Sequence, residues 1–422
     1  MLDIKFIREN SDVVKKACSL KNINLNLDEI LRLDKEIVQL RQEEQAHLTN
    51  KNVLTAKIPK AGAEERPSLI QESKALDEKV KAIKPQIEKI EKELTDLMYL
   101  VPQIPSPKAP IGKDDGDNVE VKKWGELPKF DFTPLDHVQL LEKNNWADFE
   151  RIAKVSGSRS YSLKNEMVLV ELAMHRMAMD KLMSKGFTLV SVPAFAREEA
   201  LYGTGHFPNG RDQAYFIPEQ NVYLAGTAEV QINSLHAGEM LKESDLPLLY
   251  AGYSPCFRSE AGSYGRDVRG LIRVHQFMKV EQYILCKNDP TESERWHQIL
   301  LETSEEIVKD LELPYRIVEC CTGDMGAGKV RMYDVEAWVP SEQKYRETHS
   351  CSSLHDWQAR RTNVRYRDNE GKVQYVHTLN NTAIATPRIL VPFLENHQMA
   401  DGKIRIPKAL RPYLTGQEFI GK

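Results

Sequence analysis

Long apolar runs are missing from this sequence. None approaches the roughly 18 residues that a membrane-spanning helix needs. The start, MLDIKFIRENSD, carries acids early and no long apolar stretch, so no secretory signal is expected. Cysteine is scarce: six residues, at 18, 256, 286, 320, 321 and 351, with no C-x-x-C and no H-E-x-x-H. That argues against a disulfide framework and against a structural zinc site. The cysteines read as small buried residues, and a reducing cytoplasm fits them best. Neither sign of charge dominates, with 58 Lys and Arg against 62 Asp and Glu, a net charge of −4. The chain therefore has no global electrostatic signature of nucleic-acid binding, and any such binding must come from local patches. No internal repeat is evident. With 28% charged residues, the composition is that of a globular chain rather than a disordered one.

What is present divides along the chain. Residues 1 to 27 suggest short helices. From about 28 to 57, Ile30, Leu33, Ile37 and Leu40 fall at alternating steps of three and four, which predicts one long helix. Ala61, Gly62 and Pro67 break the pattern. A second helix is predicted from about 68 to 98. There Leu69, Leu76, Ile83, Ile90 and Leu97 recur every seven residues, with Val80, Ile87 and Leu94 as a companion row. Two such helices joined by a short breaker make an antiparallel hairpin arm of roughly 45 Å. Pro85 should kink the second helix. Glu44, His47 and Lys51 on the seam make the arm's tip less apolar than its base. By periodicity alone, a plain coiled-coil dimerisation element fits equally well.

Residues 101 to 121, VPQIPSPKAPIGKDDGDNVEV, are rich in Pro, Gly and Asp and read as a linker. From about 125 on, β-rich runs such as FTLVSV (187 to 192) and LIRVHQFMKVEQYILC (271 to 286) alternate with helical stretches near 165 to 185 and 291 to 310. The expectation is one α+β domain of about 300 residues with an antiparallel sheet.

GDMGAGKV (323 to 330) contains G-x-x-x-x-G-K, but the next position is Val330 where a phosphate loop needs Ser or Thr for magnesium. RMYDVEAWV after it reads as a strand, so a tight turn between strands is expected. The stretch FRSEAGSYGRDVRGLIRVHQFMKVE (257 to 281) is more informative. Arginine is a permanent planar cation that grips phosphate or carboxylate bidentately. Arg258 could hold an α-phosphate, Glu260 could accept from an exocyclic amine, and Phe277 could stack on a base. A charged surface hairpin with internal salt bridges would have the same composition. Three further segments narrow the choice. LAGTAEV (224 to 230) offers Thr227 and Glu229. YRETHSCSS (345 to 353) offers Glu347 and Ser350, hard oxygen ligands suited to magnesium beside substrate phosphates. NNTAIATPR (380 to 388) offers Thr382 and Arg388.

Taken together, the order and spacing of these segments resemble the seryl-tRNA synthetases, a class II aminoacyl-tRNA synthetase family. The resemblance covers nearly the whole chain. It includes the N-terminal arm, the linker ending NVEVKKWG, YGTGHFP (202 to 208), SCSSLHDWQARR (350 to 361) and LENHQ near the C-terminus. FRSEAG with GLIRVHQFMKVE corresponds to the second class-defining motif, and NNTAIATPR to the third. VSVPAF with Pro193 corresponds to the first, which in this class lies at a dimer interface. The implied organisation is an N-terminal tRNA-binding domain over 1–100 with its arm at about 28–98, a linker over 101–124, and a catalytic domain over 125–422. That last domain would be built on a mixed, mainly antiparallel sheet flanked by helices.

The resemblance also implies roles. ATP would bind bent on the sheet, with Arg258 on the α-phosphate and on the serine carboxylate. Glu260 would read the adenine amine, Phe277 would stack beneath the ring, and Arg388 would cover its other face and reach the γ-phosphate. Arg258 and Arg388 are the expected catalytic residues. Ser259, Val274, Tyr345, Arg346 and Thr348 complete the expected ATP contacts. Glu347 and Ser350 would hold Mg2+, and no zinc is expected. Thr227, Ala228, Glu229, Glu281 and Thr382 would form the serine pocket with Arg258. Glu229 would pair with the amino group, and Glu281 and Thr382 would take the hydroxyl. The implied reaction is ATP-dependent ligation of L-serine to tRNA(Ser) through a seryl-adenylate, with tRNA(Sec) also charged where it exists. No segment looks like an editing domain.

The partners implied are tRNA(Ser), L-serine, ATP and a second copy of the chain in a homodimer, in the cytoplasm and away from membranes. The arm would meet the long variable arm of the tRNA, with Arg41, Lys51, Lys57, Lys60 and Arg66 as candidate phosphate contacts. Arg266 and Arg269 would meet the acceptor end. Asn381, Pro387, Trp357 and His349 depart from the common pattern without removing a named functional group. Two rivals are a class II paralogue that activates an amino acid for a carrier protein, and a non-catalytic protein that kept the fold. The first lacks the long arm and relies on zinc. The second would be favoured by loss of Arg258, Glu347 or Arg388, and all three are present.

Overall fold

Asp3 starts the first helix by accepting the Lys5 amide at 2.8 Å. In the computed structural model, which describes residues 1–262, 265, 267 and 269–422, this helix is α1 (Ile4–Glu9) and is followed by α2 (Ser11–Leu20). The expectation for Arg266 lies outside the described residues. The chain divides into two compact units. One comprises Met1–Ser19 and Ile23–Pro102, the other Leu20–Asn22 and Gln103–Lys422.

The first unit is dominated by a helical hairpin. Asn26 caps α3 (Leu27–Lys57), accepting from the Glu29 amide at 3.3 Å, and Asp28 and Glu29 sit in the first turn where the helix dipole favours acids. Helix α4 (Arg66–Met98) carries Pro67 in its first turn, where a missing N–H is harmless. Leu33 and Ile37 of α3 bury against Ile90 of α4, with Leu40, Leu94 and Leu97 half-buried around them. Arg41 pairs with Glu91, and Lys51 pairs with Asp77. Rising numbers on one helix meet falling numbers on the other, so the helices are antiparallel. No residue of α3 beyond Ile37 is fully buried, and Glu44, His47 and Lys51 are half-buried, so the apolar seam thins on the α3 side of the arm, while Leu69, Val80 and Ile83 of α4 stay buried. Helix α4 runs unbroken through Pro85. Pro85 is exposed, so the carbonyl that loses its N–H partner there stands near water.

The second unit holds an eight-stranded sheet. Its strands are β1 (Val119–Trp124), β2 (Thr188–Ser191), β3 (Leu248–Phe257), β4 (Gln276–Cys286), β5 (Tyr315–Glu319), β6 (Arg331–Val339), β7 (Lys344–His355) and β8 (His377–Thr386). They lie in the order β1-β5-β6-β7-β8-β4-β3-β2. All neighbours are antiparallel except β2 and β3. This is the mixed, mainly antiparallel sheet expected. Helices α5 (Glu166–Ser184) and α8 (Pro290–Asp310) pack on it, and shorter helices α6 (Glu198–Thr204), α7 (Glu229–Leu235), α9 (Trp357–Thr362) and α10 (Leu390–His397) belong to the same unit. Val170, Met174 and Ala178 of α5 and Leu300, Ile307 and Val308 of α8 share one core with Val280, Ile284, Leu379 and Ile384 of the sheet.

Two segments differ from expectation. The strand predicted from 271 begins only at Gln276. Leu271 is buried against the His137 ring instead, and the His275 amide bonds the Arg159 carbonyl at 3.1 Å. The Pro-rich stretch after 101 is not loose. Gln103 and Ser106 donate amides to Ala327 and Val330, and Val119–Trp124 fills the sheet edge beside β5, with Trp124 stacked on Tyr315 at 5.7 Å. An edge strand needs only one partner, which polar, Pro-bounded chain can supply. The LENHQ motif is structural: the fully buried Glu395 accepts from His137 and from the Ser341 amide and hydroxyl.

Candidate active site

Strands β3, β4, β8 and β7 lie side by side, and a cleft of about 320 Å³ opens where their pocket-facing side chains converge. Arg258 leaves the end of β3, with its amide on the His275 carbonyl at 2.9 Å. Its guanidinium lies 5.1 Å from the centre of the Phe277 ring, an attraction between cation and ring face. Glu260 sits at φ 53°, a left-handed conformation unfavourable for a residue with a Cβ. Its carboxylate takes Arg273 Nη1 at 2.6 Å. Arg388 follows β8, donates Nε to the Ile272 carbonyl at 3.1 Å, and stands 3.6 Å from the Glu347 carboxylate.

The other end of the cleft is buried and charged. Glu281 of β4 is 2% exposed, and Lys279, two residues earlier and so on the same face, is 6% exposed. They form an ion pair. Thr227 joins them: its hydroxyl accepts from Lys279 Nζ at 2.8 Å and donates to Glu281 at 3.3 Å. It also accepts the Glu229 amide at 3.2 Å. Glu229 accepts from Gln358 at 2.7 Å and from Asn380 at 2.9 Å. Thr382 stands opposite Glu281 in the ladder between β8 and β4. Burial pushes the Glu229 carboxyl up, against the Gln358 hydrogen bond and the charges of Lys279, Lys329 and Arg258. Burial likewise raises Glu281; Lys279 opposes this and Glu229 reinforces it. His206 is pushed down to about 4, chiefly by burial, and is a neutral imidazole in the cleft wall.

The structure therefore brings Arg258, Glu260, Val274, Phe277, Glu347, Thr348, Ser350, Arg388, Thr227, Glu229, Glu281 and Thr382 to one cleft. Four expected residues lie behind it. The Ser259 hydroxyl is on the Asp212 carbonyl at 2.5 Å, Arg346 pairs with Asp267 at 2.5 Å, and the Tyr345 ring packs on Trp338 at 5.1 Å. Ala228 is fully buried. Sequence reasoning missed Lys279, Asn380, Gln358, His206 and the turn Gly326–Lys329, all of which line or support the cleft. The strand alternation that places Glu281 and Thr382 would also have placed Lys279 and Asn380, each two residues earlier. Gln358 and the turn carry no comparable local signal. The turn is the G-x-x-x-x-G-K segment. It joins β5 to β6 as expected, but it also forms cleft wall. An added Cβ on Gly328 would lie 2.5 Å from the Trp357 ring, and one on Gly205 2.4 Å from it.

Glu347 and Ser350 both face the cleft. Opposite Ser350 in the ladder is Asp334, whose Oδ1 is buried without a hydrogen-bond partner. Burial, then the charge of Glu347, pushes its carboxyl well up. Oxygen ligands backed by an unsatisfied carboxylate suit a hard divalent cation. Cys320 and Asp324 also lie within 4.8 Å of Asp334, but burial pushes the Cys320 thiol up, away from the thiolate that zinc needs, and Asp324 is already bonded to Asn118 at 2.9 Å.

An aromatic-backed arginine, a carboxylate and hydroxyl pair for a cation, and a second arginine on an antiparallel sheet can seat a nucleoside triphosphate. The buried end, with acids and one lysine, can seat a small zwitterion bearing a hydroxyl. Residues 216–397 match the tRNA synthetase class II core domain (G, H, P, S and T), which defines the class as that of the class II aminoacyl-tRNA synthetases. Residues 1–105 match the seryl-tRNA synthetase N-terminal domain. A serine–tRNA ligase of Deinococcus radiodurans is 57% identical over 422 residues, covering 100% of this chain and 99% of that one. The crystal structure of seryl-tRNA synthetase from Pyrococcus horikoshii complexed with ATP superposes with a TM-score of 0.93 at 40% identity, covering 100% and 99% of the two chains. A cytoplasmic serine–tRNA ligase from Naegleria fowleri in complex with AMP gives 0.88 at 26% identity, with the same coverage. The chain belongs to the seryl-tRNA synthetase family, and it is an enzyme with a class II core. These likenesses favour the ligase over the carrier-protein paralogue.

Proposed function

We propose that this cleft joins L-serine to tRNA(Ser) in two steps, by way of a seryl-adenylate, and that the residues gathered in it divide the work as follows. Arg258 holds the α-phosphate and the serine carboxylate together, while Phe277 and Val274 seat the adenine and Glu260 reads its amine. A carboxylate oxygen of serine attacks the α-phosphorus, the bond to the β-phosphate breaks, and pyrophosphate leaves. Arg388 meets the charge on the departing phosphates. Glu347 and Ser350 would hold Mg2+, which supplies further positive charge there. A ribose hydroxyl at the end of the tRNA then attacks the adenylate carbonyl, and AMP leaves. No side chain acts as nucleophile. The protein contributes position and neutralising charge.

One observation carries the choice of serine: the half-buried Glu229 and the buried Glu281 share their end of the cleft with the Thr227 hydroxyl and Lys279. Glu229 pairs with the substrate ammonium. Glu281 and Thr382 take its hydroxyl. A pocket that hydrogen-bonds a hydroxyl rejects alanine, which would leave buried acceptors unpaired. Ser259, Tyr345, Arg346 and Thr348 support the ATP end from behind or from its rim, and Ala228 backs the serine pocket.

Residues 1–100 act as the tRNA-binding domain, 101–124 as the connector and 125–422 as the catalytic domain in this reading. Arg41 and Lys51 are paired with acids of the facing helix, so Lys57, Lys60 and Arg66 at the arm's tip are the better phosphate contacts. Arg269, bonded to Asp136 at 3.2 Å, meets the acceptor end in this reading. The enzyme works as a homodimer. Exposed Leu169 and Leu172 on α5, with Leu189 and Phe195 in the first-motif segment, supply an apolar face for it. Its place is the cytoplasm, where tRNA(Sec), if present, is a second substrate; no described helix is long and apolar enough to cross a membrane. The test is transfer of each labelled amino acid to unfractionated tRNA with ATP and magnesium. Charging with serine alone is expected. Serine-dependent pyrophosphate exchange without charging would return the carrier-type reading, and silence in both assays the non-catalytic one.

A further inference from the structure

Lys21 is 5% exposed, and its ammonium donates to three backbone carbonyls: Gly326 at 3.2 Å, Ala327 at 2.9 Å and Lys329 at 2.5 Å. All three belong to the turn Gly326–Lys329 that lines the cleft. The lysine lies 305 residues before Gly326, yet Leu20–Asn22 is part of the catalytic unit. Helix α2 ends at Leu20, Asn22 turns the chain at φ 55°, and the Asn22 side chain donates Nδ2 to the Lys113 carbonyl at 2.9 Å. That bond anchors the segment next to Lys21. A lysine ammonium has three donors and no acceptor, and a buried one is stable only when those donors are met. The turn supplies the acceptors. Its own internal bonds are few: Lys329 N to Gly326 O at 3.1 Å, with Ala327 O taking the Gln103 amide at 2.9 Å.

The geometry points to Lys21 as a positioning residue for the serine end of the cleft: its ammonium gathers the carbonyls of the Gly326–Lys329 turn and so places Gly328 against Trp357, whose neighbour Gln358 holds Glu229, and keeps Lys329 in the cleft wall. Gly328 leaves no space over the Trp357 ring. A turn that drifts therefore moves the ring or opens the wall. The lysine touches neither substrate and acts only through the turn. The inference rests on the reading that this cleft activates serine.

The test is serine-dependent pyrophosphate exchange by the full chain and by Lys21→Met, with serine varied at saturating ATP. Amide exchange is followed in peptides covering 323–330. Loss of hydrogen bonds to a charged donor corresponds to about a tenfold effect or more. The serine KM should rise by that factor while kcat changes little, and amide exchange should quicken in 323–330 alone. An unchanged serine KM with unchanged exchange at 323–330 overturns the inference. So does faster exchange spread across the whole catalytic unit, which would make Lys21 a general stabiliser. If Lys21→Met does not accumulate folded, Lys21→Gln takes its place with the same expected and refuting results. If the parent chain shows no serine-dependent exchange, the proposed function fails, and the local amide-exchange reading still judges Lys21.

Discussion

Lys279 is the lone cation among the three side chains that meet at Thr227 and Glu281, and replacing it separates stability from recognition. Lys279 and Glu281 are 6% and 2% exposed. In Lys279→Met, Glu281 keeps its burial and the repulsion of Glu229 but loses the partner that opposes both. Breaking a buried pair from one side costs about 3–5 kcal/mol. The cost depends on pH. Glu281's folded pKa then stands above its unfolded value, so the penalty is complete at pH above the folded pKa. It shrinks as pH falls towards the unfolded value, where the carboxyl is protonated in both states. Lys279→Met should therefore melt well below the parent at pH 8 and much closer to it at pH 5. Lys279→Met with Glu281→Gln removes both charges and should recover most of the loss at pH 8. Neither variant should bind serine with parental affinity, since the single variant leaves the Glu281 carboxylate without its cation and the double variant removes that carboxylate. Melting read by near-ultraviolet circular dichroism, with serine-dependent pyrophosphate exchange beside it, gives both quantities. The reasoning is refuted if the single variant melts with the parent at pH 8, or if the double variant melts no higher than the single one.

Arg258→Ala should nearly abolish adenylate formation while leaving the melting curve in place, because Arg258 is exposed and its loss uncovers the face of Phe277 without opening a cavity; near-normal pyrophosphate exchange would sink its assignment. Deleting residues 36 to 92 should spare adenylate formation and remove tRNA charging, and intact charging would refute the role given to the arm. Gly328→Ala puts a methyl group 2.5 Å from the Trp357 ring, an overpacking of about 1–3 kcal/mol; it should lower kcat/KM for serine, and parental kinetics would show that the wall yields freely. Because burial raises both Glu229 and Glu281, serine kcat/KM should fall on the acid side at a pH above the ordinary glutamate range. An acid limb within that range would refute the raised carboxyls as the groups that limit serine use.

The fold and the chemistry were legible to different depths, for physical reasons. The arm was readable because it is periodic: Leu33, Ile37 and Ile90 bury where a heptad seam puts them, and Ala61, Gly62 and Pro67 mark where its two helices part. Residues on cleft strands were readable where a segment carries several functional groups in tight spacing, as Arg258 with Glu260, or Glu347 with Ser350. The unread residues are of two kinds. Lys279 and Asn380 obey the same strand alternation as Glu281 and Thr382, so their signal was present and only their chemistry was unremarked. Gln358, Lys21 and the cleft-wall role of the Gly326–Lys329 turn have no local signal, because each gains its role from a partner more than a hundred residues away, as Gln358 does from Glu229. The turn shows why this matters. Its glycines and lysine match a phosphate-binding pattern, and Val330 rightly argues against that pattern, yet the turn borders the cleft all the same. Its glycines serve close packing on Trp357 rather than a phosphate cradle, and its carbonyls face a lysine that no motif names. Spacing identifies groups that act on a substrate directly. Groups that hold those in place are chosen by the three-dimensional neighbourhood, and for this chain the Lys21 ammonium is where the two kinds of information part.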